Sequence, residues 1–328
     1  MQWGVGMAGS SNTAIKVIVV TGVLVFVLMF AASLGLKKSL KPDERERARA
    51  LPSASPFDAS RAMEHLTTLL ANGPRVAGSL GLSQARGHIA AQARGARLRV
   101  REVPGIAGAV HVVGETRGRK EGCILVLTHY DAWASPDPAY LGASDGAATS
   151  AGLLALAEAY GDDFFGRSLV FAWLDGAAES PEQAAKALEQ LLDALSKDPK
   201  QPRIAAAIYV DGMGDCYLRI AGDPGAPEWM ADLVREVATT QGRAEHFGAP
   251  MGEASSVSKV FAARGIPALV LADRVLGGSV LEHTRLWHTS LDTVAQVCPE
   301  SLKAFGDVLY HALAAIDGRL DGLGSVGR

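Results

Sequence analysis

Cysteine is scarce in this chain. Its 328 residues contain three, Cys123, Cys216 and Cys298, with no C-x-x-C pair and no Cys/His spacing of a zinc module. A disulfide-dense small scaffold, a zinc finger and a thioredoxin-like motif are thereby excluded. At most one pair can oxidise, and the context reads as three core or near-core thiols, Cys123 lying in the apolar run Cys123 to Thr128. An excess of either charge is also missing. The 32 Lys and Arg stand against 35 Asp and Glu, a formal net charge of −3, which leaves no basic footprint for nucleic acid. No internal repeat is present, so a solenoid is excluded. What remains, 48% apolar and 20% charged residues, suffices for one large domain with a well-buried core.

One apolar run stands out. After a tail of residues 1–16, residues 17–36 (VIVVTGVLVFVLMFAASLGL) carry no charge, and the length suits roughly 20 helical residues across a bilayer. Small residues at Ala31, Ala32 and Ser33 would also suit a signal-peptidase site. The length of the run, and Lys37, Lys38 and Lys41 directly after it, favour an uncleaved single-pass membrane anchor. The denser basic residues after the span point to a cytoplasmic domain, yet large domains are often translocated against that bias, so the side of the membrane stays open. Residues 37–56 mix alternating charges with a Pro/Ser stretch and read as a linker, leaving 57–328 for the main domain.

In that domain the periodicity predicts helices over 59–71 and 83–94, then strands over 98–103, 109–115 and 123–128. Helices and strands then alternate: helix 147–160, strand 168–174, helix 181–196, strand 204–210, a short strand 217–221 and helix 227–240. A last pair is strand 268–272 and helix 301–315. Apolar strands alternating with amphipathic helices give a single α/β domain, a three-layer α/β/α arrangement around a mostly parallel mixed sheet.

In such sheets the ligand crevice lies beyond the carboxyl ends of the strands. Here those ends carry His129-Tyr130-Asp131, Asp175 and Asp211. Imidazole and carboxylates at neighbouring strand ends suit a divalent metal such as zinc better than a nucleophile triad. Each alone has a plainer reading: a His after a buried strand is often only hydrogen-bonded, and an Asp there often caps the next helix.

The stretches His129-Tyr130-Asp131 and Gly142-Ala143-Ser144-Asp145-Gly146-Ala147 resemble the H-x-D and G-A-x-D metal segments of the zinc-dependent aminopeptidase and glutaminyl-peptide cyclotransferase family. Tyr209-Val210-Asp211-Gly212 resembles its metal aspartate after a strand, and Trp287-His288-Thr289-Ser290-Leu291-Asp292-Thr293 its W-H-T-x-x-D-T signature. Asn72-Gly73-Pro74-Arg75-Val76-Ala77-Gly78-Ser79 and Arg264-Gly265-Ile266-Pro267-Ala268 resemble two further family segments. The resemblance implies one or two zinc ions. Asp145 would be the central carboxylate, His129 and Asp211 would complete one site, His288 would serve the other, and Trp287 would wall a pocket for a peptide amino terminus. It also favours a periplasmic or extracytoplasmic domain.

The chain departs from that pattern at the chemistry. Where the family reads D-G-E-E, this sequence reads Asp175-Gly176-Ala177-Ala178-Glu179, with alanine in place of both the acid/base and the second zinc ligand. Before Arg264, Ser256-Val257-Ser258 stands where the family carries an aspartate of its proton relay. Glu179, Asp175 and Glu253 are the acids left to substitute, Glu179 also as a metal ligand if the turn slips by one residue. Two readings follow: a zinc exopeptidase or glutaminyl cyclase acting on peptide N-termini, or a pseudoenzyme that keeps the fold as a peptide- or partner-binding module. Among the other histidines, His65, His88 and His311 read as surface or boundary residues of helices, and His283 as a loop residue within reach of the cleft. Asp215 and Asp292 read as loop-fixing residues.

Overall fold

The structure is a computed structural model that describes residues 54–161, 166–250, 252–273, 276, 277 and 286–325. The apolar run 17–36, nearly all of the linker and His283 lie outside the described residues. Among the described residues no helix is long and apolar enough to cross a membrane.

Two helices open the domain, α1 (Ala59–Leu70) and α2 (Leu80–Gly95). Asp58 caps α1 by accepting the Ser60 and Arg61 amides, and Ser79 caps α2 by accepting from Leu82. That cap starts α2 three residues before the expected Ser83. Next come β1 (Arg99–Pro104), β2 (Val110–Glu115), β3 (Lys120–His129), α3 (Ala148–Tyr160), β4 (Arg167–Leu174) and α4 (Pro181–Lys197). The chain continues through β5 (Ile204–Asp211), β6 (Ile220–Gly222), α5 (Glu228–Thr240), α6 (Ser256–Ala263), β7 (Ala268–Asp273) and α7 (Pro299–Ser325). Helix α6 is absent from the helices that periodicity predicts; Ser255 caps it by accepting the Ser258 amide. Strand β6 begins at Ile220 rather than 217, because Asp215 first turns the chain by accepting the Tyr217 amide.

These strands form one sheet in the order β1-β2-β4-β3-β5-β7-β6. The central β4-β3-β5-β7 pairings are parallel and the flanking ones antiparallel, so the sheet is mixed and mostly parallel at its centre. Strand β3 is apolar on both faces for a simple reason. Ile124 and Val126 pack into the layer of α1, α2, α3, α5 and α7, while Cys123, Leu125 and Leu127 pack into the layer of α4 and α6. On the first side Phe57 lies flat on α7 at Gly306, where a Cβ would sit 2.1 Å from its ring, so only glycine permits that contact.

Two sequence expectations are corrected. Cys216 and Cys298 are not separate thiols but form a disulfide, which ties the loop after β5 to the segment leading into α7. The pairing spans 82 residues, so no local spacing announces it. His65 is not a surface residue: it is buried, with Nδ1 3.1 Å from His88 Nε2 and Nε2 3.1 Å from Glu158.

Two histidines, half-buried His88 and buried His111, set an acid limit. Burial, then repulsion from His65 and Arg61, pushes His88 down to about 4, and burial pushes His111 to about 4 as well. Both stay neutral in the folded chain while unfolded histidine takes up a proton near 6.5. Their contribution is full above that value and is lost as pH falls from about 6.5 toward 4. The urea midpoint is therefore expected to drop across this window, and His88→Gln should shallow the drop; a flat profile would contradict the assignment.

Candidate metal centre

Strands β3 and β5 are parallel neighbours, so their terminal residues His129 and Asp211 emerge side by side at the carboxyl edge of the sheet. Asp145 arrives from a π-type turn, Ala143–Ala147, in which it is extended (φ −84°, ψ 105°) and the following Gly146 is left-handed (φ 78°). A Cβ on Gly146 would lie 2.7 Å from the His129 ring and 3.0 Å from the Asp131 carbonyl, so glycine is what lets the imidazole and this turn meet.

His129 Nε2 then stands 3.5 Å from Asp145 Oδ1 and 3.3 Å from Asp211 Oδ1. The candidate ligand atoms of the three residues all lie within 4.8 Å of one another. The opposite ring nitrogen, Nδ1, is 3.3 Å from Asp131, which orients the imidazole as carboxylates do behind metal-binding histidines. Burial opposes charge on His129, but Asp211 and contacts to Asp131 and Asp145 outweigh it and hold its pKa well above the ordinary value. Burial likewise opposes charge on Asp145, and His129, then His288 and Tyr140, reverse this, lowering its pKa.

The second oxygen of Asp145 faces His288, at 3.6 Å from Nε2, and accepts a hydrogen bond of 2.9 Å from the Tyr140 hydroxyl. His288 has a left-handed backbone (φ 58°), a strained conformation for a residue with a Cβ. Its ring lies between two indoles, Trp133 at 4.3 Å and Trp287 at 4.0 Å. Burial lowers its pKa, and Asp145 offsets this only in part. Asp292 accepts both the Ser144 and Asp145 amides, fixing the turn to the W-H-T-x-x-D-T segment. Burial pushes its own carboxyl up to about 6. Beneath the turn, fully buried Arg75 donates to the carbonyls of Tyr130, Leu141 and Gly142. Sequence reasoning placed Arg75 and Asp131 within motifs but gave them no role, and it passed over Trp133 and Tyr140. These two sit in an irregular loop, where no periodicity signals contact with a residue 150 positions away.

The remaining candidate acids are placed elsewhere. Asp131 Oδ2 accepts both the Ala177 and Ala178 amides at 2.9 Å, which pins the turn in register with both alanines lining the cleft. Glu179 is therefore not shifted inward: it is exposed, and Oε1 accepts the Ala134 amide. Asp175 accepts the Val110 amide and is absent from the cleft wall, and Glu253 is exposed. The cleft is a cavity of about 180 Å³ lined by His129, Asp145 and Asp211 together with Ala177, Ala178 and Val257. Trp287 is half exposed at its wall.

This donor set fits one cation better than two. Asp211 Oδ1 is buried without a hydrogen-bond partner beside the His129 and Asp145 donors, which a cation would satisfy. One nitrogen and two carboxylates also match zinc's preferences. On the other side of Asp145, His288 Nε2 is likewise buried without a hydrogen bond, but Ala178 provides no third donor and Tyr140 occupies the carboxylate oxygen.

No curated protein sequence matches the chain. Among solved structures it is similar to a glutaminyl cyclase from an Acidobacteriales bacterium, with a TM-score of 0.72 and 24% identity over 82% of this chain and 98% of that one. It is also similar to a Zn-dependent exopeptidase from Parabacteroides distasonis (TM-score 0.67, 20% identity, 79% and 99% covered). A leucine aminopeptidase precursor from Bacteroides thetaiotaomicron gives 0.66 and 17% over 79% and 97%. Residues 111–313, which carry His129, Asp145, Asp211 and His288, match the family model itself, and the chain belongs to Peptidase family M28.

Proposed function

We propose that this protein binds the amino termini of peptides in a one-zinc cleft and does not turn them over. The observation that carries the reading is the Asp131-pinned turn, which sets Ala177 and Ala178 on the cleft wall and leaves Glu179 on the Ala134 amide. His129, Asp145 and Asp211 would hold the zinc, which when bound supplies a Lewis acid for a free amine or carbonyl. Asp131 keeps the imidazole turned toward it, and the neutral terminal amine or the first carbonyl is the group such a site would take. The apolar wall of Ala177, Ala178 and Val257 accepts a first side chain while shedding water. A group that removes a proton in the transition state typically contributes about 10²–10⁴-fold in rate, and the wall has none to offer.

Purified protein is expected to carry one equivalent of zinc and to bind free-amino peptides but not acetylated ones. It should leave Gln- and Leu-initiated fluorogenic peptides unchanged. Chelator-sensitive turnover by the unaltered chain would replace this reading with that of an exopeptidase or cyclase. Asp211→Asn is expected to weaken zinc by more than about 100-fold, beyond the effect usual for outer contacts, with little change in folding stability. Zinc affinity should also fall with pH, since the metal needs the neutral imidazole of His129.

We also propose that residues 17–36 anchor the chain with the domain on the oxidising side. The run of uncharged residues supports the anchor, and the Cys216–Cys298 disulfide supports the side, because such bonds persist outside the reducing cytosol. An alkaline phosphatase fusion after residue 53 should be active in a bacterial host; an inactive fusion would place the domain in the cytoplasm.

A further inference from the structure

At the opposite end of the sheet lies a larger cleft that the family chemistry does not use. It opens between the end of α4 and the turns entering β5 and β7, with a volume of about 580 Å³, inside the ~300–1,000 Å³ range of small-molecule sites. Strand β5 runs from this cleft at Ile204 to the metal cluster at Asp211, a separation of about 23 Å at ~3.3 Å per residue.

The lining is of two kinds. Leu192, Leu195, Ile204 and Ile266 give an aliphatic floor. Arg203 and Arg264 are exposed on its rim. Arg264 is held by Asp193 at 2.6 Å, so its guanidinium is already neutralised. Arg203 differs: its side chain makes no ion pair or hydrogen bond among the described residues. It also follows Lys197 and Lys200 in a segment whose one acid, Asp198, is turned onto the Lys200 amide. An uncommitted guanidinium beside an aliphatic floor is complementary to an apolar body with one negative end.

We propose that this cleft binds a small apolar carboxylate, Arg203 taking the carboxylate and the four aliphatic side chains the hydrocarbon. The inference is independent of the reading of the metal centre.

The test uses the full chain with phenylbutyrate and its cationic counterpart phenylbutylamine, followed by calorimetry. Phenylbutyrate is expected to bind one to one, roughly tenfold or more tightly than the amine, the difference a charge-assisted hydrogen bond gives. Arg203→Glu should invert that preference, and Ser196→Trp, at an exposed position on the mouth, should abolish binding while the melting temperature holds. Equal binding of the two probes, no binding of either, or loss on Asp211→Asn in place of the two cleft variants would each overturn the proposal.

Discussion

Replacing Ala177 and Ala178 together by glutamate is expected to give this protein a second zinc equivalent and turnover at least ~100-fold above its own background. Asp131 already holds both amides and both residues already line the cleft, so the two glutamates would start from its wall. A carboxylate from position 178 would join Asp145 and His288, completing the donors of the second site. One from position 177 would stand over the cleft as a base. The gain should fall short of a full family enzyme, since Val257 still occupies the wall where a relay acid is missing. Metal analysis and fluorogenic Gln- and Leu-peptides read both effects. An unchanged metal count with no turnover would show that the deficit lies elsewhere than in these two methyl groups.

The second large effect is on stability. Arg75→Met is expected to cost roughly 4 kcal/mol or more, because three buried carbonyls lose their donor at about 1–3 kcal/mol each. The same change removes the buried cation facing Asp131, Asp145 and Asp292. Burial lowers the pKa of Arg75, yet all three carboxylates act to keep it charged. The loss should be larger in chelator than in zinc, since bound metal offers Asp145 another positive partner. Arg75→Lys, which keeps the charge but not the three-way donor geometry, should fall between. Urea unfolding with and without zinc measures both. A loss under about 1 kcal/mol would mean that water replaces the guanidinium at those carbonyls.

Much of the fold is legible in the sequence because the pattern is strong. The apolar runs ending in His129, Leu174 and Asp211 are buried on both faces, and a strand so placed has few alternatives. Short and capped elements are less legible. Helix α6 is eight residues long and depends on Ser255, while β6 depends on where Asp215 turns the chain. The four residues His129, Asp145, Asp211 and His288 come together as their motifs implied, because each ends a strand or sits in a turn whose glycine or strain is written locally. The residues that hold them are not legible in that way. Arg75 and Asp131 act through several bonds to distant backbone groups, and Tyr140 through one bond inside an irregular loop; neither spacing nor periodicity records such bonds, and of the four only Asp292 reads from sequence as a loop-fixing residue. The Cys216–Cys298 disulfide belongs to the same class.

The account rests on a cleft built for one cation. A crystal of the protein grown with zinc, measured at the zinc absorption edge, would locate the metal directly. The expected map holds one anomalous peak, at about 2.0–2.2 Å from His129 Nε2 and the carboxylates of Asp145 and Asp211, with none between Asp145 and His288. Two peaks, or a single peak on His288, would contradict it.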